Sequence, residues 1–283
     1  MHYPDLSALT AQRRTAFSKG PIALLLLEDA VEIDSTVIHL QRAGFAQIIA
    51  FGEDEIKTPD GIDRVYHPVR GDSDLVDIVN AVIAAAPNVW LHYCYNAEYL
   101  FFPFCEDRSI GEMITFSMEE RRSSILTYVV DLYAGDLNAA PDAVDRENAF
   151  VDSAGYYALA RTDPEGNALD RQMDFFGGLR WRFEEHVPWP RRRIDRVALF
   201  QAVDGLQMQA DRLFNIPEHN TYACPWHNNL TAAICSFRTA KALRRNPGSR
   251  DAIDNFRWQH SVRFAWQSQQ LCDLGLMEPG QWF

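Results

Sequence analysis

Residues 90–102 read WLHYCYNAEYLFF, a tryptophan-led apolar run that behaves as a buried strand and empties into a loop with one carboxylate, Glu98. Two other apolar runs end the same way, one on Glu28 and Asp29 and one near Asp54. Carboxylates gathered at strand ends supply the hard oxygen ligands that a divalent cation takes. A second group of chemically capable residues comes later. Arg180 and Arg182 lie in GGLRWRF, and a further arginine run follows at 191–193. Guanidinium forks match the oxygens of a diphosphate. Asp174, Glu184 and Glu185 lie near Gly177 and Gly178 and are candidates for a general base, each also readable as a solvated surface acid. His92 and Cys94, with Cys224 and His227, have spacings that a tetrahedral zinc site tolerates. Buried cysteines and internally bonded histidines are much commoner than such sites.

Regular elements must carry these residues. PIALLLLEDA reads as a strand buried on both faces. VEIDSTVIHLQRAGF reads as a helix with Val37, Ile38, Leu40 and Ala43 at helical spacing and Gly44 as its stop. AQIIAFGEDE and DRVYHPV are further strands. DSDLVDIVNAVIAAAP is a helix capped by Asp72 or Ser73 and closed by Pro87, and NVWLHYCY is the next strand. Strand, helix, strand, strand, helix, strand predicts a mostly parallel sheet flanked by helices, with ligands at the carboxyl ends of the strands. On that geometry Glu28, Asp29, residues 52–54 and residues 95–98 surround one crevice. Further on, SIGEMITFSMEERRSS reads as a helix and ILTYVVDLYAGD as a strand, while 136–148 is an acidic loop and 163–196 is irregular. TAAICSFRTAKALRR and SRDAIDNFRWQHSVRFAWQSQQLCDLG read as closing helices, the second turning Trp258, Phe264 and Trp266 to the core. The organisation expected is one domain over 1–245 with a helical C-terminal extension, 246–283, packed on it.

With 283 residues, 47% of them hydrophobic and 23% charged, the chain has the composition of a globular protein with a sizeable core. A net charge of -12 argues against binding nucleic acid or an anionic membrane nonspecifically. Five scattered cysteines make no disulfide framework, which predicts a reducing, cytoplasmic setting. The first residues hold no apolar leader, and IALLLL is too short to span a bilayer, so no transmembrane segment is expected. Walker A, Gly-x-Gly-x-x-Gly and Gly-x-Ser-x-Gly patterns are absent from the sequence.

Taken in order, these pieces resemble bacterial glycosyltransferase family 2 proteins of GT-A fold, in particular a branch common in proteobacterial surface-polysaccharide loci. The resemblance is carried by the first strand and its acids, the helix ending in AGF and the strand ending near AFGED. It continues through WLHYCYNAEYL, where family members have a tryptophan-led strand and an Asp-x-Asp-Glu-Phe-Leu type run, then GGLRWRF and CPWHNNLTAAICSF. It covers residues 20–245 and rests on the order of the pieces. It implies a GT-A-like (Rossmann-like) mostly parallel α/β fold. The activity implied is transfer of a sugar from a nucleotide-sugar donor to a saccharide acceptor, in the synthesis of a surface polysaccharide or glycoconjugate. It further implies that Glu28, Asp29, Asp54 and Glu98 line the donor crevice and that Arg180, Arg182 and His227 meet its phosphates. Asp174 or Glu185 is then the base for the acceptor hydroxyl, and His219 a second late histidine near the phosphate or metal.

In that family two aspartates of the strand-end motif hold a metal, which neutralises the departing diphosphate. Laid on this chain, the two positions are Tyr95 and Ala97, and neither replaces a carboxylate. Three readings stay open. Glu98, with another acid such as Asp54, holds manganese or magnesium; arginines meet the leaving group and the protein is metal-independent; or the fold persists without catalysis, as a glycan-binding or assembly subunit.

Overall fold

Ile22–Leu26 (β2) has every side chain buried, as a strand covered on both faces should. In the computed structural model, which describes residues 1–12, 17 and 20–282, it is central to the sheet of the first of two compact units. Part of the N-terminal stretch read above, and the last residue of 246–283, lie outside the described residues. The units interleave along the chain. The first comprises Met1–Tyr99, Asp107–Leu126 and Arg196–Asn220; the second comprises Leu100–Glu106, Thr127–Asp195 and Thr221–Phe283.

In the first unit β2 pairs in parallel with β3 (Gln47–Gly52) on one side and β5 (Trp90–Tyr95) on the other. β4 (Asp63–Tyr66) and the short β1 (His2–Tyr3) continue the parallel order beyond β3. Beyond β5 the strand β11 (Asp195–Gln201) pairs antiparallel, in the register Leu199 opposite His92. Helix α1 (Leu6–Ala11) precedes β2, α2 (Ile33–Ala43) connects β2 to β3, α3 (Asp72–Ala85) connects β4 to β5, and α4 (Ile110–Glu119) comes later in the same unit. The chain therefore leaves β2 in one direction and returns on its other side, so the β2–β5 boundary is a topological switch point. α2 stops where the sequence predicts, on Gly44 at φ 96°, a left-handed cap that glycine adopts without strain. The cap of α3 differs from expectation. Gly71 is the N-cap residue, and the Asp74 carboxylate reaches back to accept the Gly71 and Arg70 amides at 2.9 and 2.7 Å. An acid in the first turn thus serves the orphan donors in place of Asp72 or Ser73.

The second unit is built on β7 (Ser124–Ala134), of which residues 127–134 belong to it. β7 pairs in parallel with β12 (Ala232–Ser236) and antiparallel with β8 (Ala149–Asp152), and β13 (Ser261–Arg263) pairs with β8. Tyr133, Leu137, Leu179, Leu243, Ile253 and Phe256 belong to its buried core. Two expectations fail here. The stretch 163–196 is not merely irregular: β9 (Tyr157–Thr162) and β10 (Ala168–Phe176) form an antiparallel hairpin. It is held by Arg161, which spans Asp174 and Asp195, a polar bridge that hydrophobic periodicity does not register. The closing segments are only partly helical. TAAICSFRTAKALRR opens as β12 before the helix Arg238–Arg245, and beyond it lie the helices Pro247–Arg250 and Ser268–Asp273, with β13 between them. Trp258, Phe264 and Trp266 lie outside helices, because backbone pairing with β8 and ring packing, both non-local, decide that region. Among the described residues no helix is long and apolar enough to cross a membrane.

His92 on β5 shows how tightly the first sheet is closed. It is fully buried, stacked on Phe45 at 5.3 Å, and donates from Nδ1 to the Ala198 carbonyl at 3.0 Å, while its Nε2 has no hydrogen-bond partner among the described residues. Burial pushes its pKa down to about 4 from an ordinary 6.5, and burial with the nearby Arg122 does the same for His219. An unfolded chain takes up these protons near pH 6.5, whereas the folded one refuses them until about pH 4. Stability is therefore complete above the unfolded value and falls as pH drops through that window. Urea titrations from pH 7.5 to 4 should show this decline, and His92→Gln should make it shallower whatever its offset at pH 7. An unchanged slope in the variant would exclude His92 as a source.

Candidate functional site

The switch point gathers part of the predicted crevice. Glu28 and Asp29 follow β2, Asn96 follows β5, and Asn96 ties the two ends together. Its Oδ1 accepts the Glu28 amide at 3.0 Å, and its Nδ2 donates to Asp29 Oδ1 at 2.6 Å and to the Val31 carbonyl at 2.8 Å. Two residues nearby hold left-handed backbone without being glycine, Glu32 at φ 57° and Ala97 at φ 62°. Thr36 links them: its hydroxyl donates to the Glu32 carbonyl at 2.7 Å and accepts the Ala97 amide at 3.0 Å. Ser35 sits between the Glu32 carboxylate and the Tyr99 hydroxyl. Strained backbone held by side-chain hydrogen bonds is a feature that binding sites often share. Asp54 belongs to the other edge: it is exposed and pairs with His2 at 3.1 Å, across on the β1 side of the sheet.

Glu98 does not face this crevice. It opens β6 (Glu98–Phe101) fully buried, and both of its oxygens are gripped by Arg196 of β11, at 2.8 and 2.9 Å. One of them also accepts the Tyr95 amide at 2.9 Å. The guanidinium lies 5.5 Å from the Tyr93 ring centre and 5.8 Å from that of Tyr95. The carboxylate raises the Arg196 pKa further, against the opposing effect of burial. Tyr95 and Ala97, where the resemblance would place metal-binding aspartates, are themselves buried.

The arginines of GGLRWRF are also internal to their own unit. They lie on α5 (Gly178–Arg182). Arg180 donates to the Thr239 hydroxyl at 3.0 Å and the Arg193 carbonyl at 2.9 Å, and lies 3.6 Å from the fully buried Asp131. Desolvation holds the Asp131 carboxyl above its ordinary range, with Arg180 opposing the shift. Gly178, at φ 63°, leaves room for that acid, since a Cβ would stand 2.8 Å from Asp131 Oδ2. Arg182 grips both oxygens of the buried Asp152 at 2.9 and 3.1 Å and donates to the Phe256 carbonyl. Asp152 further accepts the Tyr133 hydroxyl and, at 2.7 Å, the Trp258 indole N–H.

The remaining predicted residues are scattered. Asp174 is ion-paired with Arg161 and Arg193. Glu185 is an exposed acid 3.7 Å from His186, which suits a solvated side chain better than a base in a closed site. His227 lies in the 223–228 turn and donates from Nδ1 to the Asn228 carbonyl at 2.9 Å. Cys94 is fully buried, and burial raises its pKa. Among the described residues no three or more His, Cys, Asp or Glu side chains are grouped as metal ligands would be.

Two participants went unnoticed in the sequence, Arg196 and Asn96. Arg196 carries a readable signal, a single cation inside the apolar run IDRVALFQ, which implies a buried partner. Asn96 carries none beyond its place after a strand. Truncating one side of the pair leaves the other charge buried alone, so Arg196→Met should cost about 3–5 kcal/mol of unfolding free energy. Glu98→Leu combined with Arg196→Met should recover most of that loss. Denaturant midpoints of the three variants decide the matter, and equal losses in single and double variants would mean that the pair is not what holds the strand end. Comparison with protein-family models and with curated proteins gives no match for this chain.

Proposed function

We propose that the protein is a saccharide-binding protein on a GT-A-like scaffold of the glycosyltransferase type, whose strand-end motif serves the fold in place of a donor metal. The burial of Glu98 under both forks of Arg196 carries this reading. The motif's one remaining carboxylate is spent on holding β5, β6 and β11 in register. Four of the five arginines considered for the diphosphate are likewise ion-paired, Arg182 with Asp152, Arg180 with Asp131, Arg192 with Glu184 and Arg193 with Asp174 and Asp195. A second reading, a transferase that still moves a sugar from a nucleotide donor, is favoured by one observation. Glu28 and Asp29 remain at the switch point, held there by Asn96, and their carboxylates suit the hydroxyls of a ribose.

Thermal shift with UDP, GDP, CMP and dTDP, each with manganese, with magnesium and with chelator, separates the two. A ligand at 100 times its Kd adds about 2.7 kcal/mol of stability, which a melting curve resolves. The expected result is no shift with any nucleotide and a shift with an oligosaccharide. A nucleotide shift that survives chelator would support the metal-free transferase. One that requires metal would mean that acids near β2 have rebuilt a cation site, and it would overturn the proposal.

A further inference from the structure

Two aspartates of the chain are followed directly by glycine, Asp60 by Gly61 and Asp204 by Gly205. Both pairs lie in exposed turns of the first unit, with the glycine in the left-handed region at φ 87° and 74°. Nothing stands within 4 Å of where a Cβ on either glycine would be, so sequence and steric room are the same at the two places. What differs is how each turn is tied. At the second, the Leu206 amide donates to the Val203 carbonyl at 3.1 Å. Asn215 donates from Nδ2 to the Gly205 carbonyl at 2.9 Å, and its Oδ1 accepts the Gln207 amide at 2.8 Å. Leu206 and Met208, both buried, anchor the same stretch. At the first turn, among the described residues, no hydrogen bond or ion pair involves Lys57, Thr58, Asp60 or Gly61. A groove of about 450 Å³ opens beside Asp60, lined also by Val37, Ile38 and Gln41 of α2.

We propose that Asp60 is a modification site, at which the folded chain converts aspartate to isoaspartate without an enzyme. The Gly61 amide nitrogen attacks Cγ of the Asp60 carboxyl group. The amide proton and the carboxyl hydroxyl leave as water, and a succinimide ring closes. Water then adds to the ring carbonyl that was the Asp60 main-chain carbonyl, and the bond from that carbon to nitrogen breaks. The main chain afterwards runs through Cγ, with the composition unchanged. The first step needs the peptide between the two residues to rotate until its nitrogen faces the side chain. Glycine permits the rotation and offers no Cβ to obstruct the attack. At Asp204 the same rotation strains the bond from Leu206 to Val203 and the Asn215 clamp; at Asp60 no hydrogen bond of either residue is lost. Exposed turns held by few hydrogen bonds are where a folded chain opens most readily. The product adds a methylene to the main chain and moves a carboxylate on the lip of the groove that Asp34 and Gln41 also line.

The test ages the full chain at neutral pH and physiological temperature, folded and, in parallel, unfolded in urea. Isoaspartate is read by labelled methyl transfer from S-adenosylmethionine with isoaspartyl methyltransferase as reagent. Electron-transfer fragmentation of the tryptic peptides 58–64 and 197–212 locates it. The folded chain should accumulate isoaspartate at Asp60 and keep Asp204 as aspartate, whereas in urea the two should convert alike. Asp60→Glu, whose side chain closes the larger ring far more slowly, should lose the label from peptide 58–64 with melting temperature unchanged. Asn215→Ala should bring label to Asp204 in the folded chain, and its failure to do so would overturn the role given to the clamp. No conversion at Asp60 in the folded chain, or equal conversion at Asp60 and Asp204 there, would overturn the proposal.

Discussion

A carboxylate and a guanidinium with almost no access to water govern the first unit. Glu98 and Arg196 each carry a desolvation cost that only a near-ideal partner offsets, and the bidentate grip, the Tyr95 amide and the flanking tyrosine rings supply it. Such a pair adds little net stability compared with well-packed apolar groups, but it penalises every arrangement that separates its members. It therefore acts as a register pin. β11 must lie where Arg196 reaches Glu98, and β5 must end where its last amide meets the same carboxylate. The turn at 96–97 follows from that, and with it the position of Asn96 between the two strand ends of the switch point.

The second unit repeats the device with different elements. Asp131 on β7 and Asp152 on β8 are buried acids, and α5 brings one arginine to each. The two pairs differ in quality. Asp152 is met by Arg182 at hydrogen-bonding distance and by two further donors. The Arg180 guanidinium stands 3.6 Å from Asp131, and the burial of Asp131 raises its pKa. Gly177 and Gly178 make the close approach of α5 possible, since a Cβ on either would collide, with Tyr156 in one case and Asp131 in the other. A glycine pair that reads as a turn near a substrate is thus required first by packing.

The parallel half of the fold was legible in the sequence because each strand and helix there is long, apolar and punctuated. Gly44 ends α2, Pro87 follows α3, and acids follow β2 and β3. The β9–β10 hairpin and the segment after 246 were not, for one shared reason. Their order comes from contacts distant in sequence, Arg161 to Asp195, β13 to β8 and Trp258 to Asp152, whose signature in the sequence is a few isolated polar residues. The candidate site divides along the same line. Glu28 and Asp29 stand where strand ends had to put them. Glu98, Arg180, Arg182 and Asp174 were recognised as chemically capable, but the partners that occupy them, Arg196, Asp131, Asp152 and Arg161, could not be paired with them before the fold was known.

That outcome bears on what a strand-end motif is for. A metal-binding pair of aspartates needs hydration or a cation and resists burial. Tyr95 and Ala97, at the positions that the resemblance aligns with such a pair, carry no such demand, and the strand end closes over Glu98. Once closed, the carboxylate strengthens the frame and is lost to chemistry. At the switch point the left-handed backbone of Glu32 and Ala97 is held instead by Thr36.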